Sequence, residues 1–181
     1  MHAMSGDPRS DVALVAAYRS GDERAATELV RRHAAALGRF LYASGASESS
    51  LEDLVQETFF RAFRAVGGWR GEASFRSWLF RIGTNLRKDL YRKEAGRVLL
   101  PIEDTDVPDF SDPEGEVRAR EMEERLRRGL ETLPRLQREV FLLRAQQGME
   151  YEEICAAVGT TPGAARVHYH HAVKRLKELM G

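Results

Sequence analysis

Residues 53–93 read DLVQETFFRAFRAVGGWRGEASFRSWLFRIGTNLRKDLYRK and predict two helices on either side of a glycine-rich loop. At 100° per residue, the second helix carries an apolar stripe along one side. That stripe consists of Phe75, Trp78, Leu79, Ile82, Leu86 and Leu90. The opposite side combines basic, polar and aromatic side chains: Arg76, Ser77, Phe80, Arg81, Thr84, Arg87, Lys88 and Tyr91. Because cationic side chains bind phosphates and exposed aromatic rings stack on nucleobases, this side is predicted to bind single-stranded nucleic acid.

The first helix of this stretch, residues 51–66, presents rings beside acids instead of bases. Its inward side consists of Leu51, Leu54, Val55, Thr58, Ala62 and Ala65. Its outward side consists of Asp53, Gln56, Glu57, Phe60, Phe63 and Arg64. Acids beside exposed rings suit a basic, partly apolar protein partner, with the rings as anchors and the acids as steering groups. The alternative is that Phe60 and Phe63 pack beneath a neighbouring helix.

Composition places the chain among ordinary globular proteins. Its 181 residues suffice for one sizeable domain or two small ones, and contents of 43% hydrophobic and 31% charged residues are typical. No apolar run approaches the roughly 20 residues of a membrane span, so membrane insertion is not expected. The single cysteine, Cys155, excludes an internal disulfide and fits a reducing cytoplasm, where the protein is expected to reside.

The net charge of zero conceals a strong segregation of charge. Residues 1–97 hold 16 Lys/Arg and 12 Asp/Glu, a balance of +4. Residues 98–117 hold seven acids and no base, and residues 118–181 hold 12 bases and nine acids, a balance of +3. Two mildly basic blocks joined by an acidic connector suggest two domains and a linker.

The chain is predicted to be all-α, because no sustained apolar/polar alternation indicates a strand. The predicted helices are Val12–Arg19, Glu23–Tyr42, Leu51–Val66, one from Phe75, Val117–Thr132, Pro134–Gln147, Glu150–Val158 and Pro162–Met180. Asp11, Ser50 and Ser74 are the predicted N-caps of the first, third and fourth. Prolines beside the acidic run predict an extended linker over residues 98–116. The domains are then residues 11–97 and 117–181, after a flexible segment over residues 1–10.

The last two predicted helices have the pattern of a helix-turn-helix. Gly159 supplies the turn, Thr161 is a good N-cap, and Pro162 fits the first helical position. The inward side consists of Tyr151, Ile154, Cys155, Val158, Ala165, Tyr169, Ala172 and Leu176. The outward side of the last helix consists of Arg166, Val167, His168, His170 and His171, followed by Lys174 and Arg175. Such a helix can read a major groove; a plain helical hairpin with a solvated outer face is the alternative.

A metal site near this motif is not predicted. His168 and His171 are three residues apart and could share a metal with Cys155. However, Cys155 occupies an apolar position, which favours a buried structural thiol. The histidines are interpreted as polar groups on a DNA-facing surface that carry little charge at pH 7.

Three segments in order resemble the bacterial sigma factors of the extracytoplasmic-function (ECF) group. They are DLVQETFFRAFRAV, then WRGEASFRSWLFRIGTNLRKDLYR, then LPRLQREVFLLRAQQGMEYEEICAAVGTTPGAARVHYHHAVKRL. The resemblance runs from Asp11 to Leu179. It implies a region 2 helical bundle, a region 4 domain with a helix-turn-helix, and a subunit that directs RNA polymerase to promoters and melts them.

The resemblance, together with the outward sides of the helices described above, predicts roles for residues. The polymerase-binding residues are expected to be Asp53, Gln56, Glu57 and Phe60. Recognition of the minus-ten element is expected from Trp69, Arg70, Phe80, Asn85, Lys88 and Tyr91. Recognition of the minus-thirty-five element is expected from Arg166, Val167, His168, His170, His171 and Lys174.

The expected partners are promoter DNA, the largest and second-largest subunits of core polymerase, and an anti-sigma factor. No cofactor and no catalytic activity are expected. Two alternatives remain from the sequence: a stand-alone helix-turn-helix regulator, and a helical adaptor in which Phe80 and Tyr91 contact a protein.

Overall fold

Every regular element in the described part of the chain is helical. The computed structural model describes residues 7–96 and 113–181, with side chains from residue 119 onward in the second range. The α-helices are α1 Asp11–Arg19, α2 Glu23–Ala43, α3 Glu48–Ala65, α4 Phe75–Ala95, α5 Pro113–Thr132, α6 Arg135–Phe141, α7 Tyr151–Val158 and α8 Pro162–Met180. Within these ranges the all-α prediction is confirmed. The linker predicted over residues 98–116 lies mostly outside the described residues.

A side-chain N-cap begins four of the eight α-helices in the described residues. The side chains of Ser10, Asp22, Ser74 and Thr161 each accept a backbone N–H from the first turn of α1, α2, α4 and α8. Ser74 and Thr161 agree with the sequence prediction. The predicted caps Asp11 and Ser50 are wrong: α1 uses Ser10, and α3 begins earlier, after Ser47. Asp11 is instead engaged by Arg32 and His33.

Helices α1–α4 pack around one apolar core. Its fully buried members include Leu14, Leu29, Leu37, Phe40, Phe75, Leu79 and Phe80. Helix α4 crosses α2 and α3 closely at Gly83, where an added Cβ would lie 3.1 Å from Leu37 Cδ1 and 3.4 Å from Thr58. Because Gly83 has no side chain, α4 can pack closely against α2 and α3.

Helices α5–α8 form the second domain. Helix α6 continues into a π-helical turn, Leu142–Gln146, and α8 packs on both α5 and α6. Helix α5 begins at Pro113, four residues before the predicted Val117, since proline suits a first helical turn that needs no N–H partner. The fully buried residues include Val140, Leu143, Met149, Ile154, Ala165 and Ala172.

The two domains touch directly. Helix α4 of the first packs along α7 of the second, and α2 contacts the π-helical turn. This arrangement decides which parts of α4 reach solvent, and it shapes the candidate site described below.

Candidate nucleic-acid and protein interfaces

The outward side of α3 is open to solvent. Asp53 and Gln56 are exposed, Glu57 is half-buried and bonded to Arg61 at 2.7 Å, and Phe60 is 55% exposed. The Arg64 guanidinium lies 5.5 Å from the centre of the Phe60 ring. An exposed ring between acids and a guanidinium is the composition predicted for a protein-binding face.

Phe63 does not belong to this face. Its ring lies 5.1 Å from that of Tyr18 and 6.1 Å from that of Phe59, so it is half-buried against α1. The expectation that Phe63 is exposed is therefore wrong, whereas the exposure of Phe60 agrees with the prediction. Of the two rings, only Phe60 is available as an anchor.

The loop between α3 and α4 is anchored by Trp69. Its indole is 8% exposed, packs against Phe75 and Trp78, and donates a hydrogen bond to the Ala73 carbonyl at 3.1 Å. Arg19 of α1 donates to the Trp69 carbonyl. An open tryptophan in this loop is therefore not observed; the ring holds the loop shape, and the neighbouring Arg70 is exposed.

Half of the predicted basic and aromatic side of α4 is buried. Ser77, Phe80, Thr84 and Arg87 are each at most 8% exposed. Phe80 packs against Phe40 of α2, with ring centres 5.3 Å apart. Its prediction as an exposed ring is wrong because a helical wheel assumes one covered side. Helix α4 is covered by its own bundle and by α7.

Of the remaining residues of this side, Arg81 is exposed and Arg76 is half-buried, while Lys88 and Tyr91 form a smaller open surface together with the neighbouring Asn85. Asn85 is exposed, Tyr91 is 67% exposed, and Lys88 is half-buried. Burial and then the nearby charge of Arg135 lower the pKa of Lys88 below its usual range. These residues follow one another along the second half of α4, away from the buried Phe80.

The helix-turn-helix has the predicted construction. Gly159, between α7 and α8, adopts the left-handed conformation with φ 72° and ψ 48°, which glycine reaches without steric cost. Thr161 then accepts the Ala164 N–H at 3.2 Å, and Pro162 opens α8. The conformation of the turn between α7 and α8 thus follows from local backbone and capping interactions.

The outer side of α8 presents most of the residues predicted for the duplex. Those exposed are Arg166, Val167, His170, His171 and Lys174. The Arg166 guanidinium lies 5.0 Å from the centre of the Tyr151 ring. His168 differs from the prediction: it is half-buried, and its Nδ1 is buried without a hydrogen-bond partner among the described residues.

Cys155 is half-buried on α7, and burial raises the pKa of its thiol. Over residues 7–96 and 113–181, no group of three His, Cys, Asp or Glu side chains could hold a metal ion. Within the same residues, no helix has the length and apolarity that a membrane span requires.

Two acidic residues of the second domain form ion pairs with arginines of α4, and these pairs were not predicted from the sequence. Arg87 donates to Glu139 at 2.7 Å, and Arg76 donates to both carboxylate oxygens of Glu153 at 3.1 Å. Glu139 is fully buried. One signal was present: Leu136, Glu139, Val140 and Leu143 share the apolar stripe of α6, so Glu139 occupies a core position.

Family comparisons match both domains of this architecture. The family model described as Sigma-70 region 2 matches residues 29–97, and that described as Sigma-70, region 4 matches residues 123–176. The fold and its exposed recognition helix therefore define a DNA-binding protein of transcription initiation.

Relatives extend the match over nearly the whole chain. The RNA polymerase sigma factor NccH of Alcaligenes xylosoxydans xylosoxydans is 35% identical over 179 residues, 96% of each chain. The ECF RNA polymerase sigma-E factor of Haemophilus influenzae is 30% identical, covering 87% of this chain and 88% of the relative. The structure of CnrH in complex with the cytosolic domain of CnrY has a TM-score of 0.73 and 32% identity, covering 94% of this chain and 96% of that chain. CnrH is a sigma factor of Cupriavidus metallidurans.

The chain belongs to the ECF group of RNA polymerase sigma factors. The predicted resemblance and the function in transcription initiation are confirmed, and the stand-alone regulator is not favoured. Sigma factors are regulators of transcription rather than enzymes.

Proposed function

We propose that three separate surfaces of this sigma factor divide the work of promoter opening. The outward side of α3 grips core polymerase, the open part of α4 and its preceding loop take the minus-ten strand, and α8 reads the minus-thirty-five duplex. The observation that supports this division is the location of the exposed candidate residues on three different elements. The family match over both domains supports the same division.

The polymerase contact rests on Asp53, Gln56, Glu57 and Phe60. The exposed Phe60 ring inserts into an apolar patch of the largest subunit, while the acids pair with its bases. The C-terminal domain makes a second contact, with the second-largest subunit. These proposals use only side chains that solvent already reaches.

The minus-ten contact rests on Arg70, Asn85, Lys88 and Tyr91. The exposed Tyr91 ring offers a stacking surface, and a base stacked on such a ring contributes about 1–3 kcal/mol. Unstacking a base from the duplex costs a few kcal/mol, so ring capture offsets much of that cost. Trp69 and Phe80 support this surface from the core and do not stack on bases in this arrangement.

The minus-thirty-five contact rests on α8. Arg166 and Lys174 supply cations, and Val167, His168, His170 and His171 complete the surface at the N-terminal half of the helix. Arginine reads guanine edges in the major groove with two parallel hydrogen bonds. The half-buried His168 contributes from the edge of this surface.

An anti-sigma factor is the proposed regulatory partner; the similar CnrH, solved in complex with the cytosolic domain of CnrY, supports the binding of a second protein. We place the protein in the cytoplasm, where core polymerase is found, and assign it no catalytic step of its own. The proposed domain limits are residues 11–97 and 113–181, since α5 begins at Pro113 and not at the predicted Val117, with the residues between them as the connector.

Reconstitution with core polymerase tests the proposal. Purified chain plus core is expected to start transcripts at a defined set of promoters in genome-wide run-off sequencing, and core alone is the control. A stand-alone regulator would instead bind duplex tightly without polymerase. Absence of any chain-dependent start site would contradict the proposed function.

Arg166→Ala is expected to weaken promoter binding of the reconstituted enzyme by about 1–3 kcal/mol, or roughly five- to 150-fold, because one base-reading guanidinium is lost. Fluorescence anisotropy with a promoter duplex from the run-off experiment measures the change. Lys177→Ala removes an exposed cation from the C-terminal end of the same helix and serves as the matched control. Equal losses for both variants would show that Arg166 acts only through its charge.

A further inference from the structure

The loop between α3 and α4 has few packed contacts of its own. Of residues 66–74, only Val66 and Trp69 are buried. At each of the three glycines in this range, an added Cβ would meet nothing within 4 Å. The tip of the loop is closed by the hydrogen bond from the Trp69 indole to the Ala73 carbonyl, at 3.1 Å. A loop with so few buried contacts opens easily, so its shape depends on the groups that anchor it.

One of these anchors is a side chain of α1. Arg19 Nε donates to the Val66 carbonyl at 3.1 Å, and Arg19 Nη2 donates to the carbonyls of both Val66 and Trp69. The Val66 carbonyl, just after α3, also accepts the Trp69 N–H at 3.1 Å. The guanidinium therefore joins the end of α3 to the residue that carries the buried indole. Its donors lie in one rigid plane, so Arg can bind both carbonyls at once, whereas the compact ammonium of Lys lacks this fork.

The other end of α1 is connected to the far end of the same loop. Asp11 Oδ2 lies 2.7 Å from His33 Nε2 of α2. The His33 ring in turn packs against Phe75, with ring centres 5.6 Å apart, and Phe75 is the first residue of α4. Helix α1 thus contacts the start of the loop through Arg19 and reaches its end through Asp11 and His33.

Helix α1 is itself firmly packed on the bundle. Leu14 and Val15 are fully buried, and the Tyr18 ring lies 5.1 Å from that of Phe63 on α3. Because α1 is fixed on its neighbours, Arg19 holds the loop from a rigid support. Helix α1 lies outside residues 29–97, which the region 2 family model matches, and the sequence predicted no role for it.

We infer that Arg19 is a positioning residue of the minus-ten site, which fixes the loop in the shape that distinguishes one nucleobase of the unpaired strand from the others. The inference rests on the minus-ten role proposed above for this loop. Arg19 acts through the backbone, because the carbonyls that it binds set the course of the chain into the exposed Arg70. Hydrogen bonds weaken steeply when their angles depart from the optimum, so contacts from a loosened loop would no longer separate right from wrong bases.

Arg19 is exposed, so a direct contact with a phosphate is the competing role, and the two roles predict different results. Loss of a phosphate contact weakens binding to all sequences alike and reduces the salt slope of binding by about 1. Loss of a positioning residue reduces the preference among bases and leaves the salt slope unchanged. Arg19→Lys keeps the charge for a phosphate but cannot reproduce the planar contact with both carbonyls.

Acrylamide quenching of tryptophan fluorescence measures the shape of the loop in the free protein. The chain has two tryptophans, so Trp78→Phe leaves Trp69 as the only reporter and keeps a ring beside it. In that background, Arg19→Gln and Arg19→Lys are both expected to raise the quenching of Trp69, which is 8% exposed in the wild type. Arg24→Gln is the matched control, because Arg24 is an exposed arginine of the same domain whose side chain makes no hydrogen bond among the described residues. Unchanged quenching in both Arg19 variants would overturn the inference and leave the run-off test of function unaffected.

Base preference is measured with the reconstituted holoenzyme. The probes are promoter fragments from the run-off experiment with an unpaired minus-ten strand, carrying each of the four bases at each minus-ten position. A wrong base is expected to weaken wild-type binding by about five- to 150-fold. Both Arg19 variants should reduce this ratio at least about fivefold at the most selective position the loop reads, and Arg24→Gln should keep it. Because each ratio compares probes on one preparation, a smaller folded fraction does not change it.

Two further outcomes contradict the inference. Uniform weakening at every base, restored by Arg19→Lys, would replace the positioning role with a phosphate contact. Raised quenching of Trp69 with unchanged base preference would show that the loop reads no base, which overturns the inference and this part of the proposed function. Circular dichroism verifies folding, and Arg19→Lys, compared with Arg24→Lys, carries both measurements if Arg19→Gln does not fold.

Discussion

Phe80→Ala is expected to lower the free energy of unfolding by about 3–5 kcal/mol, the usual cost of removing a buried phenylalanine. The ring is fully buried and lies 5.3 Å from that of Phe40, so its loss leaves a cavity between α2 and α4. Tyr91→Ala is the matched control, because Tyr91 is an aromatic residue on the same helix with 67% of its surface exposed. Its unfolding free energy should change by no more than about 0.5 kcal/mol.

Urea denaturation followed by circular dichroism measures both variants, and run-off transcription then separates stability from function. Tyr91→Ala should keep the fold and weaken promoter opening by roughly five- to 150-fold, because about 1–3 kcal/mol of base stacking is removed. A stable Phe80→Ala protein that fails to open promoters would mean that Phe80 reaches the strand after all. The two variants thus distinguish a ring of the core from a ring of the site.

Asp53→Arg combined with Phe60→Ala is expected to reduce affinity for core polymerase by at least about 2 kcal/mol, or roughly thirtyfold. The exposed ring is the proposed anchor, and the reversed charge repels a basic partner surface. Since both side chains are exposed, folding stability should remain within about 0.5 kcal/mol of the wild type. Transcription from reconstituted enzyme should fall at limiting sigma factor and recover in part at high concentration.

Glu23→Arg combined with Val12→Ala supplies the control for this variant. It makes the same change in charge and also shortens an exposed apolar side chain, Val12 being 63% exposed, within the same domain. Fluorescence anisotropy with labelled sigma factor measures binding to core. Equal weakening by the two pairs would show that α3 has no special part in the contact.

Local rules predicted the helix-turn-helix and failed at α4 for the same physical reason. Gly159 and Thr161 act through their own backbone and nearest neighbours, so the sequence contains all that their conformations need. Phe80 and Arg87 are buried by contacts with residues about 40 and 52 positions away, which no helical periodicity contains. The prediction that Trp69 is open was wrong for a different reason: the conformation of the loop brings the nearby Phe75 and Trp78 against its ring.

The sequence thus predicts which helices carry an exposed surface better than it predicts which residues belong to that surface. On the outward side of α3, Phe60 is exposed as predicted, whereas Phe63 packs against Tyr18. On the predicted basic and aromatic side of α4, Tyr91 is exposed as predicted, whereas Phe80 is buried in the core. The interdomain acids went unrecognised because each alone resembles an ordinary charged residue of a helix.

The aromatic contact of Arg166 has a consequence for how α8 would meet a base. With its guanidinium 5.0 Å from the Tyr151 ring, Arg166 is restrained before any DNA arrives. A long side chain loses about 0.5–1.5 kcal/mol of conformational entropy when a partner immobilises it. Because Arg166 is already restrained in the folded protein, its side chain loses less conformational entropy when it binds a nucleobase. Tyr151 would therefore favour base reading through preorganisation, although it belongs to the helix before the one proposed to enter the groove.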